Sequence, residues 1–332
     1  MLACCCRQDP SAPGDASRFV PPESVRDVAV AAPACVSPPC PAVLYPRSAL
    51  TKVAVSVDGE NVYWFEQGVG EFLVQQAPKD GRGPVVTIGR ARPDVSNRVV
   101  PDGTHVAWMS GDTLVRSRRS DGMTQRIPFE PSETGSWLGL PLDGGAELWV
   151  AEFGCRRVAV FDKSSGGVRT LRLHDGDPYT FGGSTDTAID VSQFFCGNGP
   201  RVYSVSRTGG EIAVLAERPQ DRSLEAMAVV GRALYVIEGL VNRREGALLS
   251  IPIDGGAPAV VTNTKGSGAF LHHDPRRGKL YWQIEFEVVE WDLTASAKTV
   301  IASEQRSRGS GAQDDDYIYW LDRNAVMRLE KR

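Results

Sequence analysis

Histidine is scarce in this sequence, four residues in 332, and the short signatures that organise common active sites are missing. No CxxC or paired Cys/His spacing marks a metal site, so neither a metal nor another cofactor is expected. No G-x-S-x-G elbow supports Ser-His-Asp chemistry, and there is no P-loop and no G-x-G-x-x-G opening a helix. No run of about 18 apolar residues occurs, so no apolar helix is predicted to cross a membrane. An excess of one charge sign is also missing. The 37 Lys+Arg against 41 Asp+Glu leave a net charge of −4, which argues against a nucleic-acid partner or a polybasic membrane face. The basic clusters Arg116-Ser117-Arg118-Arg119 and Arg243-Arg244 are short and read as solvated hairpin tips. Apolar periodicity of the helical kind is not sustained anywhere over about a dozen residues.

What is present begins with cysteine and proline. The chain opens MLACCCRQDPSAPGD, and Leu2-Ala3 before Cys4 resembles the end of a bacterial lipoprotein signal, with Cys5 the next nearest match. The charged and apolar regions that precede such a signal's cysteine are not in front of it. Lipidation at Cys4 is the expectation. Residues 1–40 read as a tether, because proline at this density keeps a segment extended and unable to pack as a helix. Cys35 and Cys40 enclose Val-Ser-Pro-Pro and form one disulfide candidate; Cys155 and Cys196 form a second, or are buried thiols. Pairable cysteines fit an oxidising compartment outside the cytoplasm.

A repeat fills the rest. VDGENVYW (57–64) is followed by VPDGTHVAW (100–108), LDGGAELWV (142–150), NGPRVYSV (198–205), VGRALYVI (230–237), PRRGKLYW (275–282) and QDDDYIYW (313–320). Each joins a turn-forming cluster to a short β-branched and aromatic run. Taking Trp64, Trp108, Trp149, Tyr203, Tyr235, Trp282 and Trp320 as equivalent gives steps of 44, 41, 54, 32, 47 and 38 residues. The mean of about 43 lies in the range of propeller blades. Alternating strands follow each aromatic run, such as EFLVQQAPKDG (71–81) and GALLSIPIDGG (246–256), and then a further short strand such as GPVVTIG (83–89). Four antiparallel strands per unit, repeated radially, predict an all-β fold, a β-propeller of seven blades with six as the alternative, over residues 41–332. The last unit is incomplete, so a strand from 41–48 or 23–32 is expected to close the ring and cover its edge.

The pattern D-G-x-x-V-Y-W followed by P-x-D-G-G-x-P, clearest in VDGENVYW and SIPIDGGAPAVVTN (250–263), resembles the YWTD-type and related propeller repeats of extracytoplasmic bacterial proteins. The resemblance covers about 280 residues and implies the fold; it names no ligand. Asp-Gly is a tight-turn signal, and the aromatics of the repeat read as packing between blades rather than as a sugar shelf.

Function is therefore sought in what does not repeat. The longest loops are expected at 174–193, 237–246 and 130–137, and they supply Trp137, His174, Tyr179, Phe181, Asp186, Glu238 and Arg243 as candidate binding residues, with Asn242 beside them. Trp137, off the register of the other tryptophans, is expected to face a ligand. His272 and His273 are adjacent on a strand and should point to opposite faces, so they do not make one metal site. Asp314-Asp315-Asp316 lacks the alternating spacing of a calcium loop and reads as a turn. No catalytic constellation emerges. The leading expectation is a monomeric, non-enzymatic binding propeller at the bacterial cell envelope, whose partner is a protein, peptide or glycan and whose only membrane contact is a lipid anchor. The alternative is a lyase or hydrolase with its site at the mouth of the central channel.

Overall fold

A computed structural model of the chain describes residues 40–46, 54–92, 98–131, 137, 142–143, 145–173, 185–240, 245–265, 268–284, 286–303, 311–322 and 325–332. The strands assemble into seven four-stranded antiparallel sheets, the blades of a β-propeller. Blade 1 runs Val55–Val57, Asn61–Gln67, Phe72–Pro78 and Val86–Ala91; blade 2 runs Val100–Asp102, His105–Ser110, Thr113–Arg118 and Thr124–Pro128. Blade 3 comprises Leu142–Asp143, Glu147–Ala151, Arg157–Asp162 and Val168–Arg172. Blade 4 comprises Thr185–Ile189, Gln193–Asn198, Arg201–Ser206 and Ile212–Glu217. Arg222–Val230, Ala233–Leu240, Gly246–Pro252 and Ala259–Thr264 make blade 5, and Gly268–Asp274, Lys279–Ile284, Glu287–Asp292 and Ala297–Ala302 make blade 6. Blade 7 takes Ala312–Gln313, Tyr317–Asp322 and Ala325–Glu330 from the C-terminal end, and Ala42–Pro46 from the other end of the chain pairs with its third strand. The six-bladed alternative is thereby excluded, and 41–48 rather than 23–32 supplies the closing strand.

The turn aspartates close the ring as well as turning the chain. Asp58 Oδ1 accepts the N–H groups of Glu60 and Asn61, which makes the tight turn. Its Oδ2 accepts from the Tyr63 hydroxyl at 2.6 Å and pairs with Arg119 of blade 2 at 2.7 Å. Asp314 repeats the arrangement at the seam, holding Tyr319 and, at 2.8 Å, Lys79 of blade 1. Burial works against the Asp314 carboxylate, but the Lys79 ammonium, two backbone N–H groups and the Tyr319 hydroxyl outweigh it and hold the pKa below the usual value. Lys331 closes the other side of blade 7, with its Nζ 2.8 Å from Asp274 of blade 6.

The tryptophans of the repeat fill the joints between blades. Trp64, Trp108, Trp149, Trp282 and Trp320 are each at most 1% exposed. Burying a side chain of this size contributes roughly 4–6 kcal/mol as an upper figure. One joint shows why a glycine stands in an outer strand: a Cβ on Gly89 would lie 2.4 Å from Cζ2 of Trp108, so the blade 1 backbone rests directly on that ring.

Blade 4 departs from the repeat read in the sequence. Tyr203 lies in its third strand, not its second. The second strand is Gln193–Asn198, and Cys196 pairs across to Thr187 as Trp64 pairs to Val55 in blade 1. Cys196 therefore holds the tryptophan position, with Phe194 and Phe195 beside it. The irregular steps of 54 and 32 residues become 47 and 39 when Cys196 replaces Tyr203 in the register. In the same way Thr185–Ile189, within a segment read as loop, is the first strand of blade 4.

Candidate functional site

Each blade contributes its first strand to the inner edge of its sheet, and successive first strands lie side by side around a central channel. A cavity of about 400 Å³ opens there. Its wall comes from the first strands of blades 4, 5 and 6, through Thr187 to Ile189, Met227 to Val229 and Phe270 to His273, joined by Gln313 of blade 7 and by Arg98, just ahead of blade 2. The wall mixes apolar side chains with polar and charged ones in about equal measure, Arg98, Thr187, His272, His273 and Gln313 being the polar members.

His272 is the titratable centre of this wall. Its ring stacks on Phe270 with centroids 5.3 Å apart. A bond to the Gly311 backbone favours the protonated ring, so an imidazole N–H donates to that carbonyl, while Nε2 has no partner among the described residues. Burial drives the pKa down to about 4, and the charges of Arg98 and Lys331 push the same way. At neutral pH His272 is uncharged and Nε2 carries a lone pair. His273, its neighbour, also borders the cavity, although adjacent strand residues were expected to face apart. Burial lowers its pKa too, against the pull of Asp274. No group of three or more His, Cys, Asp or Glu side chains suited to a metal occurs among the described residues.

Of the loop residues chosen from the sequence, Trp137 and Glu238 are described with their side chains, and neither borders this cavity. Trp137 is 1% exposed and thus closed to a ligand. Its Nε1 donates to the Glu130 carbonyl at 2.9 Å, its ring packs edge-on against Phe129 at 5.3 Å, and the Arg157 guanidinium sits 5.4 Å above it. A large ring with one polar tip finds both needs met indoors. Arg157 in turn grips Glu152 with Nε and Nη2, each 3.0 Å from a carboxylate oxygen. Off-register position thus marked a structural bracket, not exposure.

Glu238 is also corrected: it lies in the second strand of blade 5 rather than in a loop, is 1% exposed, and is held by Arg218 and Arg222. Asp186 lies in the first strand of blade 4, opposite Gly197. His174, Tyr179, Phe181 and Arg243 lie outside the described residues, as do Cys4 and Cys35. Cys155 and Cys196 form a disulfide with Cα atoms 5.8 Å apart, tying blade 3 to blade 4. Cys40 is also disulfide-bonded.

The residues that sequence reasoning missed are Arg98, Thr187 and Gln313. Thr187 was hidden in the segment read as loop. Gln313 opens QDDDYIYW, where the acidic turn drew attention instead. Only the first-strand positions of Thr187 and Gln313, and the place of Arg98 just ahead of one, would have pointed to the channel once blades are assigned.

No family model matches the chain, and no match is found among curated proteins. Solved structures do resemble it. A nidogen/laminin complex is 14% identical with a TM-score of 0.50, over 66% of this chain and 86% of that one. An oligogalacturonate lyase in complex with manganese is 12% identical with a TM-score of 0.62, over 88% and 93%. Hydrazine synthase of Kuenenia stuttgartiensis is 14% identical with a TM-score of 0.63, over 86% and 97%. The fold is a seven-bladed β-propeller. These neighbours differ in what they do, and at such identities the likeness is one of fold alone.

Proposed function

We propose that the chain is a non-catalytic recognition propeller of the bacterial cell envelope, carried there by a lipid on Cys4 and by the proline-rich tether of residues 1–40. Its partner is a protein, peptide or glycan, engaged at the mouth of the central channel. The channel cavity carries this reading: about 400 Å³ of concave space bordered by both apolar and polar side chains is what binding sites offer. The Cys155–Cys196 disulfide supports an oxidising compartment. A neighbour found in complex with laminin supports a protein partner in particular.

A lyase or hydrolase using the same cavity is the second reading. It is favoured by His272, whose unprotonated Nε2 is a base at neutral pH, and by the lyase among the structural neighbours.

Thiol trapping of the native protein tests the first reading. Cells opened directly into an alkylating reagent should yield Cys155 and Cys196 unlabelled, in an envelope fraction, with an acylated cysteine at the mature N-terminus. Labelled thiols in the cytosolic fraction, together with an unmodified Met1, would contradict it.

A further inference from the structure

We infer that the channel cavity receives a neutral, hydroxyl-rich ligand, the end of a carbohydrate chain, rather than an ion. This rests on the channel being the binding site, as proposed above, but it fails separately. Among the polar atoms of residues that border the cavity, Thr187 Oγ1, His272 Nε2 and Gln313 Oε1 have no hydrogen-bond partner among the described residues. Groups so placed are ordinarily satisfied, because burying them unpaired is costly.

Their chemistry specifies what would satisfy them. Gln313 spends its Nε2 donor on the His273 carbonyl, so its oxygen is left as an acceptor. His272 gives its N–H to Gly311, so Nε2 is a second acceptor. The Thr187 hydroxyl, on a residue 4% exposed, can donate or accept. Two lone pairs and one hydroxyl call for a ligand that brings hydrogens.

A metal ion or ammonium group would bring positive charge beside the Arg98 guanidinium, which borders the same cavity. A carboxylate or phosphate could pair with that guanidinium but would set its lone pairs against those of His272 and Gln313. A sugar hydroxyl donates and accepts at once, and the C–H face of the ring suits the apolar wall at Val229, Phe270 and Leu271. The three atoms each expose under 1 Å², so contact requires the Thr187, His272 and Gln313 side chains all to turn toward the lumen, Gln313 giving up its bond to the His273 carbonyl. Rotamer changes of this kind are common on binding.

The test uses the full chain with galactose, glucose and mannose as neutral probes, and acetate, inorganic phosphate and tetramethylammonium as charged ones. Saturation-transfer NMR should show transfer to at least one hexose and to none of the charged probes. Thr187→Val, nearly isosteric, should weaken that binding about 10-fold without moving the melting temperature, and Gln313→Leu should do the same. A charged probe binding in place of the hexoses, or a crystal soaked in hexose that holds only ordered water in the cavity, would overturn the inference. If no hexose enters while the chain still captures an envelope partner through the channel mouth, the carbohydrate inference alone fails. If that capture is also lost, both readings fail.

Discussion

Replacing Arg157 by alanine is expected to cost about 3–5 kcal/mol of folding stability, the usual loss when one member of a buried ion pair is removed. The Glu152 side chain has 0% exposure and that of Arg157 only 6%, so the carboxylate left behind would stay desolvated beside an apolar space. The same substitution takes the Nη2 donor from the Pro131 carbonyl and the cation from the face of Trp137. With an unfolding entropy of about 2.1 cal/mol/K per residue, a loss of that size lowers the melting temperature of a 332-residue chain by roughly 4–7 °C. The companion variant separates charge from packing. Arg157→Met with Glu152→Leu should recover most of the loss, since an apolar pair of similar volume replaces a buried ion pair at little cost. Thermal unfolding followed by circular dichroism checks both, and a single variant as stable as the parent would show that the bracket holds nothing.

Removing the Cys155–Cys196 disulfide is expected to have an effect of similar size. The two cysteines are 41 residues apart, and closing a loop of that length restrains the unfolded chain by about 4 kcal/mol. Both cysteines are fully buried, so Cys155→Ala with Cys196→Ala avoids leaving polar groups in the core. The double variant should melt roughly 5–6 °C lower by the same entropy scale. Cys155 follows Glu152 by one turn and precedes Arg157, in the short 3-10 turn Phe153–Cys155. The two perturbations therefore share a neighbourhood, and combining them should give less than their sum. A melting temperature unchanged by the double alanine variant would place the cooperative unfolding elsewhere in the ring.

Much of the architecture was legible in the sequence because one physical device is used again and again. Asp58 makes a turn with its own backbone, and Trp64 six residues later fills the joint to the next blade; Asp314 and Trp320 do the same at the seam. Legibility failed where the device was altered. In blade 4 a cysteine stands at the tryptophan position, and the aromatic weight moves to Phe194 and Phe195, so the eye settles on Tyr203 one strand too late. What the turn aspartate does across the joint was not legible, because Arg119 and Lys79 reach Asp58 and Asp314 from neighbouring blades.

The binding site was barely legible. Loop length selected Trp137 and Glu238, and both turned out to be buried and partnered, since a strong side chain between strands is as often a fastening as a contact. His272, Thr187 and Gln313 sit in ordinary first strands or at their ends and come together only through the radial arrangement of three different blades. Strand alternation spoke only against His272 and His273 sharing one metal, and it carried no information on which of them borders the channel.

The repeat is architecture, and the proposal that the channel is where this protein meets its ligand is open to direct test. Methyl-labelled NMR of the full chain, titrated with solubilised envelope glycan, tests it most directly. Shifts are expected to concentrate at Thr187, Met227, Val229 and Leu271, with the outer strands unmoved. Shifts confined to the outer strands or to the connections between blades, with those four methyl-bearing residues unchanged, would contradict it.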